Sequence, residues 1–501
     1  MRLTQRARSA CLPALLAMAM AMAIACGAAA AATSADPPTK PVAPAVPPVT
    51  LARIVAAAMQ SEWAYQRLED LTDKIGPRPA GSAGYAAAAT QVADAMRAIG
   101  AQVSLQPAKV THWVRGEERA ELVDYPGRPS GVTQRLQVTA LGRSGTTGAG
   151  GLEARVIVVR DFNDLQAHAA EVRGRIVLFD SRFDQRLADN GRADAAYGQA
   201  GQYRVHGPAA AAALGAAAAL VRSIGGAEYR LSHTGVTQWN EGQASIPAGA
   251  LAAEDADLIK RLAAQGPVTM RLLLTPQTLP DTENFNVIAD WPGSVHPDEY
   301  VVVSGHLDSW DLGTGATDDG SGVMAAAGVV QVLAQLQLHA RRSIRFIAWA
   351  DEENGGRGGR AYFESLGEAI SKQCAALESD LGAGRALGVQ AAVTSDALGD
   401  LQPVMDALSP IGATVLEASL GEVGTDIGPL QEAGVPSFSP LADTRHYFDY
   451  HHTAADTLDK VDPVNLQSQV ATMAALAFYL ADRADCLPRL PVDRDTVAHG
   501  K

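Results

Sequence analysis

Residues 300–338 read YVVVSGHLDSWDLGTGATDDGSGVMAAAGVVQVLAQLQL, and the fold prediction starts from this stretch. The apolar run at 300–304 has the length and the β-branched content of a buried strand. A polar, glycine-rich stretch follows it. From 324 to 338 the sequence is rich in alanine, valine and leucine, as in a buried helix. The stretch therefore predicts a strand, a loop and a helix, in that order.

The same order recurs in the rest of the chain after Asn284. Further strands are expected at 285–289, 343–350 and 375–379, and a last helix at 466–480. Strands that alternate with helices are typical of a mainly parallel sheet with helices on both faces. In such sheets ligands bind beyond the carboxyl ends of the strands. We therefore predict an α/β fold with its functional site at that edge of the sheet.

The residues before this region are predicted to form two parts. Residues 49–129 start the main domain, with helical patterns at 49–68 and 84–99 and β-like stretches after them. Residues 130–280 are interpreted as an inserted β/α domain, in which an alanine-rich helix is expected at about 206–221. The main domain resumes at 281–486, and a tail is expected at 487–501.

The N-terminus has the pattern of an export signal. Arginines within residues 1–8 precede an apolar run at 12–24 and an alanine-rich stretch, which predicts a signal peptide at 1–32. The apolar run is shorter than the roughly 20 residues that a membrane-spanning helix needs. An uncleaved anchor and a lipid attached at Cys26 are lesser alternatives. Residues 33–48 are rich in proline and alanine and are expected to form a linker. We expect a secreted or periplasmic protein that is not held at a membrane after signal cleavage.

Composition narrows the function classes further. Hydrophobic residues make up 47% of the chain and the net charge is −14, so a buried core is expected and a nucleic-acid partner is not. Of the four cysteines, Cys11 and Cys26 fall in the signal region. Cys374 and Cys486 remain, and they are expected either to pair in an oxidising compartment or to stay as two buried thiols.

The polar residues after the strand at 300–304 are of types that bind metals. His306 offers an imidazole, and the carboxylate of Asp308 can fold back to the other ring nitrogen and orient the ring. Asp318 and Asp319 lie among glycines before the helix, and Asp318 could bridge two ions. Helix capping explains one of these carboxylates, and a surface loop with chance polar residues is the alternative for His306.

Two further clusters complete a candidate ligand set. Residues 351–353 (DEE) follow a predicted strand, and three adjacent carboxylates repel one another unless cations or solvent lie among them. Asp380 follows the next strand, and His451 and His452 precede the last helix. Carboxylates and imidazoles without a thiolate suit zinc, and manganese or cobalt would also fit.

Taken together, these residues resemble the co-catalytic zinc aminopeptidase family M28, and most closely its plasma glutamate carboxypeptidase (carboxypeptidase Q) branch. The motifs that carry the resemblance are His306-x-Asp308, Asp318-Asp319-Gly320, Glu352-Glu353, Glu378-Ser379-Asp380 and His452-Thr453-x-x-Asp456-Thr457. Residues 75–82 (IGPRPAGS) are similar to the family's N-terminal part. The insertion is similar to a protease-associated domain.

The resemblance implies two zinc ions in one chain. Asp318 would bridge the ions. His306 and Asp380 would complete the ligands of one ion, and Glu353 and His452 those of the other.

It also implies roles for three neighbouring residues. Glu352 would be the general base in catalysis, and Asp308 would hold His306 from behind. His452 is preferred to His451 as the ligand because the family pairs this histidine with serine or threonine, as in His452-Thr453. His451 would then be a neighbour of the substrate or of the ligands.

The function implied is that of an exported two-zinc exopeptidase, which hydrolyses dipeptides or removes N-terminal residues from short peptides. The resemblance also implies a homodimer. One alternative is a single-zinc acyltransferase of the glutaminyl-cyclase type. The other is a non-catalytic binding protein on the same scaffold, which would be expected to have lost ligands that this sequence keeps.

Overall fold

The computed structural model of the protein describes residues 46–226 and 229–492. The predicted signal peptide, Cys11, Cys26, most of the predicted linker and residues 493–501 of the tail lie outside this part. Of the linker, residues 46–48 are described, and the first helix already begins at Pro48. In the described part, no helix combines the length and the hydropathy needed to span a bilayer.

The strands and helices can be numbered along the chain. The strands are β1 (Gln102–Val114), β2 (Glu118–Asp124), β3 (Gln134–Leu136), β4 (Val138–Ala140), β5 (Leu152–Val159), β6 (Ile176–Phe179), β7 (Ala218–Arg222), β8 (Ala248–Leu251), β9 (Thr269–Leu274), β10 (Gln277–Trp291), β11 (His296–His306), β12 (Arg342–Trp349), β13 (Gln373–Glu378), β14 (Ala386–Ala392), β15 (Val415–Ala418) and β16 (Ser437–Ala442). The helices are α1 (Pro48–Ala58), α2 (Trp63–Lys74), α3 (Ala83–Ala98), α4 (Phe162–Ala167), α5 (Ala169–Val172), α6 (Gln185–Asp189), α7 (Ala193–Ala213), α8 (Ala253–Ala263), α9 (Ser321–Leu336), α10 (Arg357–Leu366), α11 (Gln402–Leu408), α12 (Gly428–Glu432) and α13 (Pro463–Asp482).

An eight-stranded sheet, the main sheet, has the order β1-β10-β12-β11-β13-β16-β14-β15. Its central strands β12, β11, β13 and β16 run parallel, as predicted. The edge strand β1 and its neighbour β10 pair antiparallel instead, and β10 is also antiparallel to β12. Strand β1 precedes the predicted insertion in the chain, and β10 begins at its end. The pairing of β1 with β10 therefore brings the two ends of the insertion together. The predicted α/β class is confirmed, and the antiparallel pairs are added to a parallel centre.

A second eight-stranded sheet, with the order β3-β2-β9-β5-β6-β7-β8-β4, takes up the region predicted as an insertion. It starts at Glu118, before the expected boundary at residue 130. The reason is local: β1 ends at Val114, and a short turn leads directly into β2, which pairs antiparallel with β9. Residues 118–274 and the helices among them are called the second-sheet region below.

Two helix predictions differ from the structure. The helix expected at 206–221 is the end of α7 followed by the buried strand β7, and Gly215 separates them with a φ of +82°. The end of the helix could not be recognised from the sequence because alanine-rich segments occur both in helices and in tightly packed strands. The pattern at 49–68 forms α1 and α2 rather than one helix, with a break after Met59.

The core on one face of the main sheet is formed by α1, α9 and α13, whose apolar residues are buried together. Helix α9 is buried on all sides over most of its length, which explains its alanine- and valine-rich sequence. Cys486, which follows α13 in the chain, forms a disulfide with Cys374 of β13, and their Cα atoms are 5.3 Å apart. Of the two alternatives for these cysteines, the structure therefore has the pair.

Candidate metal centre

The predicted ligands come together at the carboxyl edge of the main sheet. His306 ends β11, and Glu353 and Asp380 follow its neighbours β12 and β13. Because these strands are adjacent and parallel, their ends meet at one place. Asp318 precedes α9, and His452 lies in the loop before α13. All five side chains meet there although they are spread over about 150 residues of chain.

Asp318 lies between the other four side chains. Its Oδ1 is 3.2 Å from Nε2 of His306, and its Oδ2 is 3.0 Å from Nε2 of His452. Oδ1 of Asp380 is 3.2 Å from the same His306 nitrogen, and Oε2 of Glu353 is 3.0 Å from the same His452 nitrogen. The five therefore form two groups that share Asp318: a His306 group with Asp380 and a His452 group with Glu353.

The two adjacent histidines have different surroundings. Nε2 of His451 also lies near Asp318, at 3.3 Å from Oδ2, and the rings of His451 and His452 are stacked. However, Nδ1 of His451 is buried and has no hydrogen-bond partner among the described residues. Nδ1 of His452 faces the main-chain carbonyl of Thr234 at 3.3 Å. A metal-bound imidazole usually donates its second N–H to such an acceptor, so these surroundings favour His452 as the ligand.

Asp308 supports the site through different atoms from those expected. Nδ1 of His306 donates to the main-chain carbonyl of Asp308 at 2.9 Å, whereas the nearer carboxylate oxygen is 3.8 Å away. The carboxylate instead accepts the main-chain N–H groups of Glu352 and Glu353 at 3.1 and 3.2 Å. Asp308 thus holds both the histidine and the turn that presents the two glutamates.

Two buried residues to which the sequence analysis gave no role hold the Asp318 loop. The carboxylate of Asp456 accepts hydrogen bonds from the main-chain N–H groups of Thr317 and Asp318 at 2.7 and 3.1 Å. The guanidinium of Arg78 donates to the carbonyls of Leu307 and Gly315, both at 2.8 Å. Both residues lie in motifs that carry the family resemblance, which was the available signal. Their contacts fix the loop between His306 and Asp318.

The centre concentrates negative charge away from solvent. Burial raises the pKa of Glu353 to about 8 and that of Asp380 to about 6. Burial acts in the same direction on Asp318, but the neighbouring imidazoles, first that of His451, outweigh it and hold the pKa of Asp318 well below its usual value. A buried carboxylate in such a cluster is stable as an anion only when cations or donors surround it.

The residues present fit a metal centre. Oδ2 of Asp318 and Oε1 of Glu353 are buried and accept no hydrogen bond from the described residues. Ligand atoms of His306, Asp318 and Asp380 lie within 4.8 Å of one another, close enough to share one ion. A donor set of imidazoles and carboxylates suits zinc.

The centre opens into a cleft of about 630 Å³ between the main sheet and the second-sheet region. Glu352 lines this cleft, and its carboxylate makes no hydrogen bond to any residue in the described part of the chain. Tyr197 and Arg204 of α7 line the side formed by the second-sheet region. A substrate in the cleft would therefore touch both parts of the molecule.

The chain is similar to known proteins over most of its length. The family model described as Peptidase family M28 matches residues 286–477. Carboxypeptidase Q of Mus musculus is 35% identical over 427 residues, which are 85% of this chain and 87% of that protein. Carboxypeptidase Q of Homo sapiens is also 35% identical, over 85% of this chain and 86% of that protein.

Solved structures show the same likeness. A peptidase M28 precursor from Shewanella amazonensis is 34% identical with a TM-score of 0.83, over 89% of this chain and 98% of that chain. A zinc aminopeptidase from Bacillus subtilis, 22% identical with a TM-score of 0.60 over 85% of this chain and 97% of that chain, shares the fold. From its sequence relatives and its fold, the chain is a metallopeptidase of family M28.

Proposed function

We propose that the protein is an exported exopeptidase that uses two zinc ions to hydrolyse dipeptides or to remove N-terminal residues from short peptides. The observation that carries the proposal is the pair of ligand groups that share Asp318. Export is supported by the N-terminal sequence and by the Cys374–Cys486 disulfide, which an oxidising compartment favours. The relatives include proteins named carboxypeptidase and aminopeptidase, so their names alone leave open which end of the peptide is recognised.

Each residue of the centre has a distinct task in this proposal. The His306 group and the His452 group would each hold one zinc ion. Zinc in such a site polarises the scissile carbonyl and lowers the pKa of a bound water. Glu352 lines the cleft next to Glu353, which supports a role as the base that takes a proton from the attacking water and passes it to the leaving amine. The carboxylate of Asp308 accepts hydrogen bonds from the main-chain N–H groups of Glu352 and Glu353, and would thereby fix the position of the base relative to the ligand.

The cleft also contains a fixed positive charge that suits an exopeptidase. Arg204 is 7% exposed, and among the described residues the polar contacts of its guanidinium are the Tyr197 hydroxyl, the Thr234 carbonyl and the His452 ring. None of these groups is acidic. A buried cation is costly without an anion, and the free carboxylate of a dipeptide would supply one. In a dipeptide that carboxylate lies only about one residue, some 3.8 Å of chain, from the scissile bond.

Replacing Arg204 with methionine is expected to raise KM for dipeptides about 10- to 100-fold, because a charge-assisted contact contributes about 1.5–3 kcal/mol. Dipeptide amides, which lack the carboxylate, should show the same KM with the variant and the wild type. Arg271→Met, which removes an exposed arginine of the second-sheet region, is the control. An equal rise for acid and amide substrates would argue against carboxylate recognition by Arg204.

The proposal as a whole is tested by measuring the zinc content of the purified protein together with hydrolysis of a dipeptide panel before and after chelation. We expect about two zinc ions per chain, loss of activity on chelation and recovery when zinc is added. One zinc per chain would favour the single-zinc acyltransferase. No zinc and no recovered activity would favour a non-catalytic binding protein.

A further inference from the structure

The second-sheet region reaches the metal centre through Thr234. The main-chain N–H of Thr234 donates to the carbonyl of His452 at 2.9 Å, and the carbonyl of Thr234 faces Nδ1 of the His452 ring at 3.3 Å. Thr234 is completely buried. His452 has a φ of +61°, a conformation that a residue other than glycine keeps only when its surroundings hold it. The direction of this imidazole therefore depends on a residue outside the main sheet.

The other histidine of the centre is supported differently. Nδ1 of His306 donates to the carbonyl of Asp308, two residues along the same loop. The His306 group is thus oriented within the main sheet. The His452 group is oriented by a contact from the second-sheet region.

Arg115, in the turn between β1 and β2, fastens this contact. Its side chain is 11% exposed, and Nε and Nη2 donate to the carboxylate of Asp311 at 2.8 and 2.7 Å. Nη2 also donates to Oγ1 of Thr234 at 3.2 Å. Nη1 donates to the carboxylate of Glu118 at 2.7 Å and to the carbonyl of Ala140 at 2.8 Å. One guanidinium therefore joins the loop after β11, the second sheet and Thr234.

We propose that Arg115 is a positioning residue for the His452 group. It holds Thr234 in place, and Thr234 in turn orients His452, while the His306 group keeps its own support. The inference rests on the proposed two-zinc function. Loss of an outer partner of a metal ligand typically weakens metal binding 10- to 100-fold. Weakening through Arg115 should therefore affect one of the two zinc ions.

The test is to compare zinc retention by wild type and Arg115→Met during dialysis against chelators of graded strength. In the variant, one zinc ion is expected to bind as tightly as in the wild type. The affinity for the other zinc ion is expected to be about tenfold lower, so a weaker chelator should remove it. Thr234→Val removes only the hydroxyl that accepts from Arg115 and donates to Ala140, and it should give a smaller shift in the same direction. Arg115→Lys keeps a donor near Asp311 and should restore part of the affinity.

Arg222→Met is the matched control, because it breaks buried ion pairs with Asp180 and Asp257 within the second-sheet region and makes none of the contacts to Thr234 described above. It should keep both zinc ions at wild-type affinity. If Arg115→Met does not fold, Thr234→Val decides. Equal weakening of both ions, or no weakening, in a folded variant would overturn the inference alone. A wild-type protein without two zinc ions would overturn the proposed function, and the inference with it.

Discussion

The Glu352→Gln variant is expected to keep both zinc ions and to lose a factor of at least about 10²–10⁴ in kcat, the usual contribution of a general base. The neighbouring Glu353 lies 3.0 Å from the His452 nitrogen, whereas the carboxylate of Glu352 lines the cleft and makes no hydrogen bond or ion pair with the described residues. Glutamine has the shape of glutamate but does not accept the proton from water. Elemental analysis and dipeptide kinetics on the same preparation separate metal binding from catalysis.

Glu432→Gln is a suitable control for this experiment. Glu432 is exposed and lines the same cleft, so its replacement removes the same charge from the cleft surface. We expect its kcat to stay within a few-fold of the wild-type value, because a surface charge acts only through screened, longer-range forces. Near-normal turnover of Glu352→Gln would exclude Glu352 as the base.

The Asp318→Ala variant is expected to lose both zinc ions and all measurable dipeptide hydrolysis. Each oxygen of this carboxylate approaches a different histidine, at 3.2 and 3.0 Å, so its removal takes one ligand from each group. The measurement is zinc content after dialysis, together with a thermal melt to show that the variant is folded.

Asp380→Ala provides the comparison for Asp318→Ala. Of the two histidine ligands, Asp380 is within 4 Å of His306 alone, so its loss should release the ion of the His306 group and leave the other ion bound. The expected zinc content is therefore close to zero per chain for Asp318→Ala and about one per chain for Asp380→Ala. Full zinc retention by Asp318→Ala, or the same zinc content in both variants, would contradict the bridging role.

The centre of the fold could be predicted from sequence because each central strand is an apolar run that ends in polar residues. Strands β12 and β13 begin and end within two residues of the predicted positions, and β11 contains the predicted strand but begins four residues earlier, at His296. The pairing of β1 with β10 could not be predicted in this way, because the whole second-sheet region separates the partners and neither strand specifies the other. The assignment of β2 to the second sheet is likewise not visible in the sequence, since only a short turn separates β2 from β1.

The candidate ligands were predictable because their side chains are chemically distinctive and follow strand ends. The atoms that orient them were not, because much of that work is done by the main chain. His306 is held by the carbonyl of Asp308, and His452 by the carbonyl of Thr234. Every residue has a carbonyl, so no residue type marks these positions. Arg115 is likewise a single arginine in a turn, and only its contacts in three dimensions show what it joins.

The Cys374–Cys486 bond turns the last part of the chain into a covalent ring, with a sequence separation of 112. Asp380 and His452, one ligand from each group, lie inside this ring. The loop after β15 also lies inside it and carries Leu420, whose side chain is fully exposed, as is usual at sites of proteolytic cleavage. A single cut in that loop would give two polypeptides that the disulfide still joins. Asp380 and His452, which would then lie on different polypeptides, would stay in one covalently linked molecule.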